Sequence, residues 1–555
     1  MAHLGWLVGI LAAVLLAAAL MLPLSGASTA SSAIHPATAS EPITATLNVG
    51  GSSTLLNRAF LGVNGGTDDS AVGTYLNSTS IGFVRTVGMD SCNVTTDTGW
   101  VAGVTGGIAI PNGCPVDIAT FAAWCDSLTP HCESDVGLPG ENNNSAEDAA
   151  DARYIVDTLG FQPTYWSFGN EPISWTHYGI PWTHWKLTDD SVPTGLAYAV
   201  DVRNAIVAVR AVDPPAQFVG IQSYWCPDTT YTDPVAAIDG GAIDAMACHV
   251  YTNDGTSSPT TGQYFASLMG ASNITSNYDA LRQHIRGLCS TCGLLPIQIS
   301  EFQGGPFGSP APQDREFDGA IWLAASLVQA LDAGIPSVQL YELGGQSPCG
   351  FCILNDKYVP DAQGVLYSGV LSDLQRGLSV YNVSVASHDT NLWATILHGT
   401  DPNHTQILFV NANVTHAETL GMATGFFGAN QPGTVISWND SSTQPVTTRY
   451  AEMPYKISVP ALSLVLITVT PPSGGPDAHS SIVQSRGAVP VTVNSSPTHA
   501  LPLCVAGNGF LSLPAGPSGS EGRTGSTPPF YAEPRRSHST VTPPSSRVAS
   551  RATGR

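Results

Sequence analysis

Charge is scarce in this chain, and positive charge is scarcest. Asp, Glu, Lys and Arg make up 11% of its 555 residues, and 20 Lys and Arg face 42 Asp and Glu. The formal net charge of −22 repels nucleic acid and anionic lipid, so neither is expected as a partner, while neutral or modestly charged small molecules stay open. The GxGxxG turn of a dinucleotide-binding sheet is missing. After the early apolar run Phe60-Leu61-Gly62-Val63-Asn64, Gly65 and Gly66 have the wrong spacing, which argues against an open doubly wound sheet. No internal repeat is evident. Past residue 24 no apolar run is long enough to span a bilayer, so the bulk of the chain is expected outside the cell.

The N-terminus supports that side. Leu4 to Leu24 is apolar and uncharged, and Ser25-Gly26-Ala27-Ser28-Thr29-Ala30 offers the small residues a signal peptidase needs. Residues 1–33 read as a signal peptide or an N-terminal membrane anchor: the start carries no Lys or Arg, only His3, and the apolar run is long enough to stay in a bilayer. Sequons at Asn77, Asn93, Asn143, Asn273, Asn382, Asn403, Asn413, Asn439 and Asn494 fit an exported chain. Ten of the eleven cysteines fall into sequence-local pairs: Cys92/Cys114, Cys125/Cys132, Cys226/Cys248, Cys289/Cys292 and Cys349/Cys352, leaving Cys504 over. In an exported protein these read as loop staples. The two Cys-x₂-Cys pairs also have the spacing of a four-thiolate zinc site, the rival reading.

With 43% hydrophobic residues the chain can bury a large core. Apolar runs at Leu61–Asn64, Ile81–Val87, Ser134–Leu138, Thr164–Gly169, Phe218–Gln222, Ile243–His249, Pro296–Ser300 and Ser337–Tyr341 have the form of buried parallel strands. Helical spacing lies between them, with Val202, Ala205, Ile206, Val209 and Val212 on one face and Phe317, Ile321, Ala324, Val328 and Leu331 on another, closed by Gly334. Eight β/α units predict an α/β fold of the (β/α)₈ TIM-barrel type over residues 42–375. From about Ser379 short alternating runs at Leu392–Leu397, Gln406–Val410, Thr434–Trp438, Tyr455–Val459 and Ser463–Val469 predict a C-terminal antiparallel β-sandwich over 376–472, which the strand at 42–56 could join. Residues 473–555, rich in Ser, Pro, Thr, Gly and Arg, read as a disordered tail.

Two strands carry the chemistry. Tyr165-Trp166-Ser167-Phe168-Gly169-Asn170-Glu171-Pro172 ends in an amide and a carboxyl, and Pro296-Ile297-Gln298-Ile299-Ser300-Glu301-Phe302 ends in another carboxyl. Strand C-termini line the active face of such a barrel, and two carboxyls facing each other there are the equipment of glycoside hydrolysis: one protonates the leaving oxygen, the other attacks the anomeric carbon. Trp166, Trp175, Trp182 and Trp185 cluster near Glu171 in sequence, as sugar platforms or as core.

Gly169-Asn170-Glu171-Pro172 and Ser300-Glu301-Phe302 resemble the acid/base and nucleophile signatures of clan A glycoside hydrolases. Within that clan Val84-Arg85, His249-Val250-Tyr251 and Val459-Pro460-Ala461-Leu462-Ser463-Leu464-Val465-Leu466 are similar to the heparanase and β-glucuronidase family, over about residues 42–470. The resemblance implies retention of configuration, Glu171 as acid/base, Glu301 as nucleophile, Asn170 on the sugar 2-hydroxyl and Tyr251 orienting Glu301. It also implies Arg85 and His249 as residues behind the nucleophile or at a sugar subsite that keep Glu301 ionised, and Tyr341 stacked on or hydrogen-bonded to the sugar. Glu342 has no clear counterpart. The loop Gly344-Gly345-Gln346-Ser347 offers only backbone amides and neutral side chains, so β-glucuronides, neutral hexosides and pentosides all stay open. A carbohydrate is the expected partner, with no cofactor, no metal and no protein partner. The competing readings are a non-catalytic carbohydrate-binding or surface protein on the same scaffold, and a metal-dependent hydrolase that uses the Cys pairs.

Overall fold

The computed structural model describes residues 42–65, 70–86, 92–93, 98–99, 118–128, 131–138, 143–172, 194–252, 259–305, 311–344, 351–355, 357–399, 405–422 and 431–469. After β1 (Ala45–Leu55), the strands β2 (Leu61–Asn64), β3 (Phe83–Thr86), β6 (Glu133–Leu138), β7 (Tyr165–Phe168), β8 (Val219–Ser223), β9 (Ala245–Tyr251), β10 (Ile297–Gln303) and β11 (Val338–Leu340) form one parallel sheet. The short pair β4 (Cys92–Asn93) and β5 (Thr98–Gly99) stands apart. The order β7-β6-β3-β2-β11-β10-β9-β8 brings β7 and β8 to opposite ends of the list, and a bridge from Trp166 to Phe218 joins those ends. The sheet is therefore a nearly closed (β/α)₈ barrel, as the eight apolar runs predict. Every residue of β2, β3 and β10 is buried, which is why these strands read as continuous apolar segments rather than as alternation.

Helix 195–212 buries Val202, Ala205, Ile206 and Val209, and Thr194 caps it by accepting from the Ala197 N–H. Helix 317–332 is buried almost all round. The reason is its position: one side lies on the barrel and the other against the second sheet, where Phe317 meets Trp438 edge-on at 4.9 Å. It stops at Gly334, whose φ of +69° allows the Gly334 N–H to reach Leu331 O and the Ile335 N–H to reach Ala330 O, a paired closure that only a left-handed residue permits.

The second sheet contains β1, β12 (Ser379–Ala386), β13 (Leu392–His398), β14 (Thr405–Asn411), β15 (Glu418–Gly421), β16 (Gly433–Asn439), β17 (Val446–Tyr450), β18 (Lys456–Val459) and β19 (Ser463–Val469), in the order β17-β16-β19-β14-β13-β12-β1-β15-β18. Ile396, Phe409 and Ile467 from its middle share one core with Ala45, Leu420 and Ile457 from its far end, so the sheet folds over on itself. It is mixed, not purely antiparallel as predicted. β1 runs antiparallel to β12 but parallel to β15, because it arrives from ahead of the barrel and no hairpin fixes its direction. β12, β15 and β17 are not among the predicted strands. β15 is four residues long and buries Glu418 and Thr419, while β17 has no buried residue, so neither presents an apolar run.

Cys125–Cys132, Cys226–Cys248 and Cys289–Cys292 are disulfides, and Cys352 is disulfide-bonded too. Because Cys289 and Cys292 are bonded to each other, they are not free to ligate zinc, and the four-thiolate reading is set aside. Cys114, Cys349 and Cys504 lie outside the described residues, as do residues 1–33, the tail, Trp175, Trp182, Trp185, Asn403 and Asn494. Among the sequons, Asn77 and Asn382 are exposed. Asn413 and Asn439 are buried, and their Oδ1 atoms accept main-chain N–H bonds from Thr415 and Ser441; they serve their own turns and are poor glycan acceptors.

Candidate active site

The end of β7 is shaped by its two neighbours. Beyond Phe168 the Gly169 N–H bonds Leu138 O of β6 at 3.0 Å, and the Glu171 N–H bonds Gln222 O of β8 at 2.9 Å. Glu171 itself sits at φ +49°, a left-handed conformation that costs a non-glycine residue about 1 kcal/mol or more and persists only where its surroundings impose it. On β10 the pairing with β9 shifts register between Ile299 and Glu301, leaving Glu301 opposite His249; such irregularities re-aim side chains at barrel rims.

These strand ends bring Arg85, Asn170, Glu171, His249, Tyr251 and Glu301 together. Arg85 is buried and reaches three ways, to Glu301 Oε1 at 3.0 Å, Asn64 Oδ1 at 3.0 Å and Asn170 Oδ1 at 2.6 Å. The Tyr251 hydroxyl donates to Glu301 Oε2 at 2.7 Å. His249 Nδ1 lies 2.5 Å from Glu171 Oε1 and 3.3 Å from Glu301 Oε2, so it touches both carboxyl groups and lies nearer Glu171. Both glutamates are almost wholly buried, and the ligating atoms of Glu171, His249 and Glu301 all lie within 4.8 Å of one another.

Burial lifts the Glu301 carboxyl above the ordinary carboxylate range. His249, Arg85 and the Tyr251 hydroxyl pull it down, while the charge of Glu171 adds to the lift. Burial also pushes His249 down to about 3, with Arg85 assisting and Glu301 opposing. The imidazole is therefore neutral across ordinary pH. A proton on Nδ1 lets it donate to Glu171, and leaves Nε2, which has no partner among the described residues, as a lone pair rather than a stranded donor. Three ligand atoms at this spacing match a metal ion's reach, but Arg85 holds Glu301 Oε1 and Tyr251 holds Oε2, and the Arg85 charge beside the pair opposes a cation there.

Tyr341 is half-buried just past the end of β11, its ring 6.5 Å from that of Tyr251 and 6.0 Å from Phe351. Glu342 is lifted by burial, and by the charge of Glu301, to about 7. Trp166 is fully buried and donates from Nε1 to Asp213 at 3.1 Å, so it belongs to the core and not to a sugar platform. Sequence reasoning passed over Asn64, whose Nδ2 donates to Ser300 O at 2.7 Å while its Oδ1 holds Arg85. It also passed over Asp135, Ser167 and Gln222 beneath Glu171. A polar side chain closing an apolar barrel strand, as at Asn64 and Gln222, was the available signal.

No protein-family model and no curated protein matches the chain. Solved structures do match, at low identity. A family 44 xyloglucanase from Paenibacillus polymyxa aligns with TM-score 0.56 and 12% identity over 77% of this chain and 100% of its own. A GH51 arabinofuranosidase from Xanthomonas axonopodis pv. citri aligns with TM-score 0.57 and 11% identity over 77% and 100%, and a glucosidase from Croceicoccus marinus with TM-score 0.54 and 13% identity over 78% and 99%. The likeness spans several glycoside hydrolase families and does not single out the heparanase and β-glucuronidase family. What this chain shares with these enzymes is their fold, a barrel with an appended β-domain.

Proposed function

We propose that this chain is an exported retaining β-glycosidase, with Glu171 as general acid/base and Glu301 as nucleophile. The observation that carries the reading is the closeness of the two carboxyl groups, whose oxygens lie within 4.8 Å at the ends of the fourth and seventh barrel strands. Retaining enzymes hold their carboxyls about 5–5.5 Å apart for direct attack, whereas inverting enzymes leave about 6.5–9.5 Å for a water. In the first step Glu301 attacks the anomeric carbon as Glu171 protonates the departing oxygen. In the second, Glu171 takes a proton from water, which displaces Glu301 with a second inversion. Arg85 and Tyr251 hold Glu301 as the charged form that attack requires, and Arg85 orients the Asn170 amide toward the sugar. The disulfides and the export segment at residues 1–33 support an extracellular setting, secreted or anchored.

The family resemblance brings β-glucuronides as one substrate class. Arg85, the cation in contact with the pair, is engaged by Glu301, Asn64 and Asn170, so the charge described here favours a neutral β-hexoside or β-pentoside. Incubating the protein with 2-fluoro glycosyl fluorides of several configurations tests both points. Mass spectrometry should find one sugar attached to the peptide bearing Glu301; attachment elsewhere, or none with any sugar, would refute the reading.

A further inference from the structure

We infer that Asp135 is a positioning residue for Glu171, clamping the one seam of the barrel on which the acid/base carboxyl depends. The inference rests on the glycosidase reading above. Asp135 lies within β6 and is fully buried. A carboxylate there is costly unless its oxygens are satisfied, and its two oxygens take donors from two different strands: Ser167 Oγ of β7 at 2.8 Å, and Gln222 Nε2 of β8 at 2.7 Å. These two strands need tying together. Every other neighbouring pair in the ring is a strand ladder, but among the described residues β7 and β8 are joined on the main chain by a single bridge, Trp166 to Phe218, with the Trp166 N–H on Gln217 O and the Glu171 N–H on Gln222 O, beside the stacked rings of Phe168 and Phe218.

Glu171 hangs from that seam. It follows Ser167 by four residues on one side, its N–H rests on the Gln222 carbonyl on the other, and its backbone is held in a left-handed conformation that relaxes if the anchor shifts. Asp135 fixes both anchors through their side chains. The Gln222 Oε1 atom is buried without a partner among the described residues, so the bond to Asp135 is what orients that amide. Its task is geometric: a proton donor displaced by about 1 Å loses about 10²-fold in rate.

The test uses the full-length protein and a series of aryl β-glycosides of the sugar that the wild type cleaves, with leaving groups from strongly activated to poor. Asp135→Ala should lower kcat/KM about 100-fold for poor leaving groups and less than about 3-fold for activated ones, since only the former need a well-placed acid. Asp135→Asn should recover most of that loss, because Gln222 can turn its amide and accept the new N–H. An essential negative charge would instead make Asp135→Asn as poor as Asp135→Ala. If Asp135→Ala does not fold, Gln222→Ala keeps the carbonyl and removes the clamp, and should steepen the leaving-group dependence in the same way. Equal losses for every leaving group, or no loss, would overturn the inference. A wild type inactive on every aryl glycoside, or a Glu171→Ala variant with unchanged leaving-group dependence, would defeat the glycosidase reading instead. Amide hydrogen exchange at Glu171 then decides the clamp by itself: faster exchange in Asp135→Ala than in wild type supports it, and equal exchange refutes it.

Discussion

Removing Arg85 should raise the pH above which the nucleophile Glu301 is ionised. Burial lifts Glu301, and among the groups that oppose the lift His249 is held neutral down to about 3 by its own burial, so the permanent cation Arg85 carries the counter-charge at neutral pH. Its Nη1 lies 3.0 Å from Glu301 Oε1. Unit charges centred about 4 Å apart interact by about 4 kcal/mol at an effective dielectric near 20, equivalent to about three pKa units. Water entering the vacated space reduces this to roughly one or two. The sign follows from the roles: Glu301 must be ionised to attack, so the acid limb of the kcat/KM profile moves to higher pH in Arg85→Gln while the basic limb stays. Below that limb the rate falls about tenfold for each pH unit of displacement. Arg85→Lys should fall between, keeping a charge but losing the three-way grip on Glu301, Asn64 and Asn170. The assay is kcat/KM of an activated aryl β-glycoside from pH 4 to 9, with thermal unfolding of each variant recorded alongside. An acid limb that does not move in a folded Arg85→Gln protein would refute the electrostatic reasoning.

Other outcomes follow from the same geometry. Glu301→Ala with azide should give the inverted glycosyl azide, and Glu171→Ala the retained one, because only the latter still forms the intermediate on Glu301; product stereochemistry by NMR checks this, and exchanged products would reverse the two roles. Cys226→Ser should lower stability by about 3 kcal/mol, the loop-closure value for the 22-residue separation from Cys248, and denaturant unfolding that shows no change would contradict it. Burial lifts Asp201, Asp332, Asp361 and Glu342 to about 7. The fold holds those protons at a pH where the unfolded chain has released them, so stability is greatest toward pH 4 and is lost as pH rises through about 7. His249, lowered to about 3, works the other way as pH falls below about 6.5, but one imidazole is outweighed by four carboxyls. The melting temperature should therefore be higher at pH 5 than at pH 8, and the reverse order would show that these carboxyls are hydrated.

The sequence by itself determined the number and place of the barrel strands. A parallel strand buried on both faces must be a continuous apolar run, and eight such runs separated by helical spacing leave little else to build. It also determined that Glu171 and Glu301 close strands on one rim, because the end of such a run is where polar groups first meet the mouth. Short alternating runs gave five of the C-terminal strands, but not β12, most of whose inward residues are only partly buried, nor β15 or β17, whose exposed or polar residues form no apolar run. Local pattern could not supply pairings across long separations. That β1 lies parallel to β15, that Trp166 turns into the core toward Asp213, and that His249 sits closer to Glu171 than to Glu301 are decided by how the ring closes. Asp135 is the clearest case. In sequence it is one acid within a short strand; the β6–β7 ladder brings Ser167 to one of its oxygens and closure of β7 against β8 brings Gln222 to the other, and a hydrogen bond between strands distant in sequence leaves no periodic trace along the chain.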